Sequence, residues 1–220
     1  MTKNKKIKLN ISQRISDHLI QGCLIFLSVF FAFWLSEYRE SKKDSETLDI
    51  SIQYIASEMT YNHHRIESIF KYHSDLLREI DSLRQQSDSN WMELEGSDLT
   101  NWKGLQTPLL RSAAYQTYLN SNLIDNVEFE WAKSLTRVYY AQSITERLDN
   151  SFIEYVITDS ESLTSLPRLR NLIRIYLSTL PEVMMEYQRA KKEWLNKYGY
   201  DIDIENDELR NEVNRRMRNY

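Results

Sequence analysis

Hydrophobic positions along this chain fall into three patterns. The first is an unbroken run, Leu19 to Leu35 (LIQGCLIFLSVFFAFWL), with no charge in seventeen residues and only Gln21 and Ser28 polar in side chain. Asp17-His18 precedes it and Glu37-Tyr38-Arg39-Glu40 follows. At about 1.5 Å per residue a helix of this length spans roughly 26 Å, close to a hydrocarbon layer of about 30 Å. Trp34, Ser36 and Tyr38 carry it into the headgroup zone, where amphipathic rings are favoured. A buried core helix keeps a polar stripe, and Cys23 to Leu35 has none beyond Ser28. A signal peptide ends in small residues, and Phe33-Trp34-Leu35-Ser36-Glu37 offers no such cleavage pair. Residues 19–36 are therefore predicted to form one uncleaved transmembrane helix.

The second pattern starts at Leu48. Apolar residues recur at spacings of three and four through Ile52, Ile55, Met59, Ile66, Ile69, Leu76, Ile80 and Leu83, with Asn62 and His73 on the same line. No Pro or Gly interrupts it before the polar stop at Gln85–Asn90. A helix from Glu37 to Ser87 would project roughly 75 Å. This spacing fits either a coiled coil with a second copy or one long helix of a bundle. Polar seam residues fix register and partner number at some cost in stability, so Asn62 and His73 favour a specific pairing. The expected interaction seam is Ile55, Met59, Asn62, Ile66, Ile69, His73, Leu76 and Ile80, carried on a coiled-coil-like stalk over 37–89.

The third pattern is a set of helical stretches divided by turn residues. Asn90 to Gln106 is irregular, with Gly96, Gly104, Trp91 and Trp102. Thr107-Pro108 reads as an N-cap and a first-turn proline, opening a helix Pro108–Asn120. Asp125-Asn126-Val127-Glu128 reads as a capping box for a long helix whose apolar positions include Trp131, Leu135, Val138, Leu148, Phe152 and Tyr155. Ser165-Leu166-Pro167 restarts the chain, and Leu169, Leu172, Ile173, Tyr176 and Leu180 line one face. Pro181 either kinks that helix or starts another, which runs to Lys197 and stops at Gly199. A last helix, Asp207–Arg218, is strongly charged and expected to fray. No stretch alternates with period 2 between turn residues. The fold class is all-α: a transmembrane helix continuing into a long helix, then an elongated antiparallel bundle over 90–220 packing on the stalk.

Charge sets the orientation. Residues 1–18 carry Lys3, Lys5, Lys6, Lys8 and Arg14, against Arg39, Lys42 and Lys43 after the span. The excess places 1–18 in the cytoplasm as a basic segment and the remainder on the far side of the membrane. Ile7, Ile11, Ile15 and Leu19 recur every four residues, which fits either a short interfacial helix or a basic tail that only sets topology. About 180 of the 220 residues follow the anchor, enough for one domain with a core. Four Gly and three Pro disfavour a fold of many tight turns. A net charge of −4 with interspersed signs leaves no basic face for nucleic acid. Cys23 is the single cysteine, which rules out an intrachain disulfide and a cysteine metal site.

Candidate chemistry is sparse. His63, His64 and His73 are the metal suspects, but only His63 shares a face with a carboxylate, Glu67, short of the three or four ligands zinc needs. The expected reading is a His63–Glu67 surface pair and a seam imidazole at His73. Were His73 to meet its own copy in a dimer, protonation near pH 6.5 would oppose association. Asp201, Asp203, Glu205 and Glu212 occupy positions 1, 3, 5 and 12 of a calcium loop, yet Asn206 stands where Gly makes the turn and Glu208 where an apolar residue packs. Acidic residues also cap helices, as these precede the last one. Trp131, Tyr139, Tyr140 and Phe152 lie at core spacing. Arg168, Arg170 and Arg174 with Tyr176 form a basic face, read as solvated, with an anionic ligand or lipid as the minority reading. No Ser/His/Asp or Cys/His set and no Gly-rich phosphate loop can be assembled. No catalytic residue and no cofactor is expected.

Two stretches carry a resemblance. One is Trp34-Leu35-Ser36-Glu37-Tyr38-Arg39-Glu40 followed by Glu58 and Asn62. The other is Leu110-Arg111-Ser112-Ala113-Ala114-Tyr115-Gln116, through Leu135-Thr136-Arg137-Val138-Tyr139-Tyr140, to Gln142. In their order these resemble a broad bacterial family of single-pass membrane proteins with no assigned function. The resemblance implies an inner-membrane protein with a helical outer domain, and supplies no catalytic residue.

Two functional expectations follow. One is a non-enzymatic, membrane-anchored interaction or scaffold protein, a homo-oligomer or bound to another membrane protein through its first long helix. The other is a ligand-sensing subunit. With about 18 cytoplasmic residues it would signal through a separate membrane partner, using Gln21, Gly22 and Ser28, residues of the kind that pack helices in lipid.

Overall fold

In the computed structural model the described residues are 4–86, 90–121, 123, 127–158 and 165–219. Among them five α-helices follow in order: α1 Asn4–Gln86, α2 Ala113–Leu119, α3 Phe129–Thr158, α4 Leu166–Glu193 and α5 Asp207–Arg218. Short 3-10 turns lie at Asn90–Glu93, Gly96–Asp98 and Leu195–Tyr198. Among the described residues there is no strand, only an isolated bridge between Glu95 and Ser165. The fold is all-α, as the periodicity predicts. Asp125 and Asn126 of the predicted capping box lie outside the described residues.

The chain divides into two compact units, Met1–Asp49 and Ile50–Tyr220. In the first, the apolar stretch of α1 is long and apolar enough to cross a membrane, and none of it is buried by the chain itself. Leu19 is 66% exposed and Phe33 73%. The Ser28 hydroxyl donates to the Leu24 carbonyl at 2.7 Å, so even this polar group is satisfied within the helix. Cys23 is a free, exposed thiol.

In the second unit the 3-4 line of α1 forms the core. Ile52, Ile55, Met59, Asn62, Ile66, Ile69, His73, Leu76 and Ile80 are all fully buried. One end of that core is a cluster of Leu76 and Ile80 with Leu99 and the α4 residues Leu166, Leu169 and Ile173. Each such side chain contributes about 1.5–3 kcal/mol of burial. Of the two arrangements the spacing allows, the structure has the bundle: the chain's own helices fill the seam. The portion of the expected stalk from Ile50 onward belongs to the helical unit.

Two boundaries differ from expectation, and so does the state of the last helix. The helix predicted from Pro108 starts only at Ala113, because side chains of α1 hold the intervening backbone. Asn62 pairs with both the N–H and the C=O of Arg111 at 2.8 Å, and Arg65 donates to the carbonyls of Thr107 and Pro108. Leu109 there adopts a positive φ of 47°, outside a right-handed helix. Pro181 lies inside α4 rather than dividing it, and α4 ends at Glu193, with Gly199 closing the next turn at φ 89°. The charged α5 is anchored rather than loose. Leu209 and Val213 are buried, the Asn206 side chain accepts the Leu209 N–H, and its first and last turns carry acid and base respectively.

Candidate functional site

A cleft of about 690 Å³ lies on one side of α1 in the helical unit. Ser51, Tyr54, Ser57, Glu58, Thr60 and Tyr61 line it from α1, and Arg111, Ala113, Ala114 and Thr117 from the segment that enters α2. Glu58 is buried to 8% exposure. Its Oε1 accepts the Tyr139 hydroxyl at 2.7 Å and its Oε2 accepts the Ala114 N–H at 2.8 Å. The second contact satisfies one of the unpaired donors that every helix start leaves.

A polar layer supports this floor. The Tyr139 ring stacks flat on Tyr115, centroids 3.9 Å apart. Burial, and then the Glu58 charge beside it, push the Tyr139 phenol well above its ordinary value, so it stays a donor. Burial and the Glu58 charge likewise raise the carboxyl of Glu146. Gln142 donates to the Tyr187 hydroxyl, which is fully buried. On the rim, the Arg111 guanidinium lies over the Tyr61 ring, 3.5 Å from its centroid. Glu58 and Asn62, Arg111, Ala114 and Tyr115, and Tyr139 and Gln142, from three separate segments, thus meet in one layer, with the Tyr187 hydroxyl joining Gln142 to Asn62.

The eight seam residues Ile55, Met59, Asn62, Ile66, Ile69, His73, Leu76 and Ile80 are inside the chain's own bundle, so a partner would have to use another face. The His63–Glu67 pair forms at 3.5 Å, but it is not on the surface: His63 is fully buried. Its Nδ1 shares a 2.9 Å hydrogen bond with the Tyr200 hydroxyl. Burial lowers its basicity, which the Glu67 carboxylate partly restores. Glu67 in turn accepts the N–H groups of Glu205 and Asn206. His64 is exposed. His73 packs against the rings of Tyr72 and Tyr176, with neither ring nitrogen hydrogen-bonded. Burial depresses its pKa to about 4.

Three of the four acidic residues at calcium-loop spacing are held by cations of the chain itself. Asp201 and Asp203 both bind the Lys191 ammonium, at 3.0 and 2.8 Å, and Glu212 pairs with Arg215 and Arg216. Among the described residues no group of three or more His, Cys, Asp or Glu side chains is placed to hold a metal. Arg170, from the basic face, pairs with Asp81 of α1 at 2.6 Å. Sequence reasoning did not single out the cleft itself, whose walls come from two segments about fifty residues apart. No family model, curated protein or solved structure matches this chain.

Proposed function

We propose that this is a membrane-anchored helical interaction protein, held in the bacterial inner membrane by residues 19–36, with 1–18 cytoplasmic and the helical unit outside. The observation that carries the reading is the wholly uncovered apolar surface of Leu19–Leu35, on the same helix whose later residues form a packed core. A soluble chain does not leave a face of this size in water. Because the 55–80 line is occupied by the chain's own helices, contact with a second copy or another membrane protein falls to the membrane helix, through Gln21, Gly22 and Ser28, or to the exposed face of the bundle.

Vesicle flotation with alkaline extraction tests the anchor. The full chain is expected to float with lipid, and Phe26→Lys with Phe30→Lys, at about 3 kcal/mol each for a cation at the helix centre, to release it. Wild-type protein recovered in the supernatant would refute the reading. Cross-linking in native membranes tests the partner. A second reading, an extracytoplasmic ligand-sensing subunit that signals through a separate membrane protein, is favoured by the cleft at Glu58 and Arg111. A ligand-dependent change in cross-linking separates it from a passive scaffold.

A further inference from the structure

We propose that the cleft between α1 and the Arg111–Thr117 segment binds a small zwitterion of the α-amino-acid class, its ammonium on Glu58 and its carboxylate on Arg111. The inference deepens the sensing reading and rests on the same cleft. Its first support is that two opposite charges line one cleft with no ionic partner among the described residues. The Glu58 carboxylate accepts a phenol and one backbone N–H, neither of them a cation. A carboxylate has about four lone-pair positions, so about two stay open. A carboxylate this enclosed without a cation is costly, and an incoming ammonium offsets that cost.

Arg111 is the complement. Its backbone is fixed by the two Asn62 hydrogen bonds and its guanidinium by the Tyr61 ring beneath it. No carboxylate of the described residues pairs with it, and Glu58 and Arg111 do not pair with each other although both line the cleft. A planar fork held in place on an aromatic ring is suited to bidentate capture of a carboxylate. Tyr54, 66% exposed, and Tyr61 supply an apolar wall for the ligand's side chain. The volume, about 690 Å³, lies within the roughly 300–1,000 Å³ typical of small-molecule sites.

The test uses the full chain in nanodiscs. Each standard L-amino acid is titrated at up to millimolar concentration by calorimetry and saturation-transfer NMR. For the tightest binder, the amine lacking the carboxylate and the acid lacking the amine are titrated alongside. At least one amino acid is expected to bind, and each single-charge analogue to bind at least tenfold more weakly. Arg111→Gln, whose side chain is exposed, lies on the Tyr61 ring and makes no hydrogen bond or ion pair among the described residues, should lose about tenfold for the amino acid and nothing for the amine. Glu58→Gln, checked by circular dichroism, should lose affinity for both. No amino acid binding, equal affinity for the amine alone, or unchanged affinity in Arg111→Gln would each overturn the proposal. Binding without any change in membrane cross-linking would leave the site standing and remove the sensing reading.

Discussion

His73 makes the stability of the helical unit acid-sensitive in a way a single substitution isolates. The imidazole sits fully buried among Tyr72 and Tyr176 with no hydrogen bond at either nitrogen, and its pKa falls from 6.5 to about 4 through burial. In the unfolded chain the same group takes a proton near pH 6.5. Its contribution is therefore complete above pH 6.5 and is lost as pH falls towards 4. At ~1.36 kcal/mol per factor of ten in proton affinity the full loss is about 3 kcal/mol, of which about 2 has accrued by pH 5. Asp149 works the other way. Burial raises its carboxyl from 3.8 to about 6, against the Tyr176 hydroxyl that it accepts, so it gains stability as pH falls from 6 towards 3.8, by at most about 3 kcal/mol. The two contributions oppose each other, and only a comparison exposes each of them. His73→Phe keeps an aromatic ring and sacrifices no hydrogen bond, and any packing cost it brings is the same at every pH. Urea unfolding of the full chain in detergent, followed by tryptophan fluorescence at pH 7.5 and pH 5, should show the variant gaining about 2 kcal/mol relative to wild type on acidification. Parallel pH profiles for the two proteins would refute the reasoning.

Three further outcomes are expected. Asp149→Asn should reverse the sign, losing about 1–2 kcal/mol relative to wild type between pH 7.5 and pH 5 in the same assay, because it removes the group that gains protons on folding. Asn62→Ala should cost about 2–4 kcal/mol by midpoint shift in urea, since it leaves both the N–H and the C=O of Arg111 unpaired at a half-buried site. Millimolar calcium should leave the thermal unfolding curve unmoved, with Lys191 already on Asp201 and Asp203; a rise of several degrees would restore the calcium loop.

What could be read from the sequence was what depends on local repetition. The 3-4 line from Ile52 to Ile80 is the buried face of α1, and the Ser165-Leu166-Pro167 and Asp207 starts match α4 and α5, because spacing and capping act within a turn or two. The spacing alone could not choose between a second copy and the chain's own helices, since either buries the same stripe. The 107–112 segment escaped because its conformation is set by Asn62 and Arg65, more than forty residues away, and overrides the first-turn signal of Pro108. His63 and Glu67 were recognisable as neighbours at i and i+4, but the burial of His63 depends on Tyr200, from the far end of the chain. The acidic run at 201–207 has calcium spacing by itself, and the lysine that neutralises it lies outside the motif. Glu58 stood out in the sequence only as one residue of a resemblance, and it is the meeting of Tyr139 and Ala114 on its carboxylate that makes it a floor.

The lone sulfhydryl at position 23 turns this chain into its own depth gauge. A fluorophore attached there reports from a single known place without engineering any other cysteine away. Quenchers fixed at graded positions along lipid tails would measure how far that site lies from the water. Oxidative coupling of two unlabelled chains would register only if their first helices run side by side within disulfide reach.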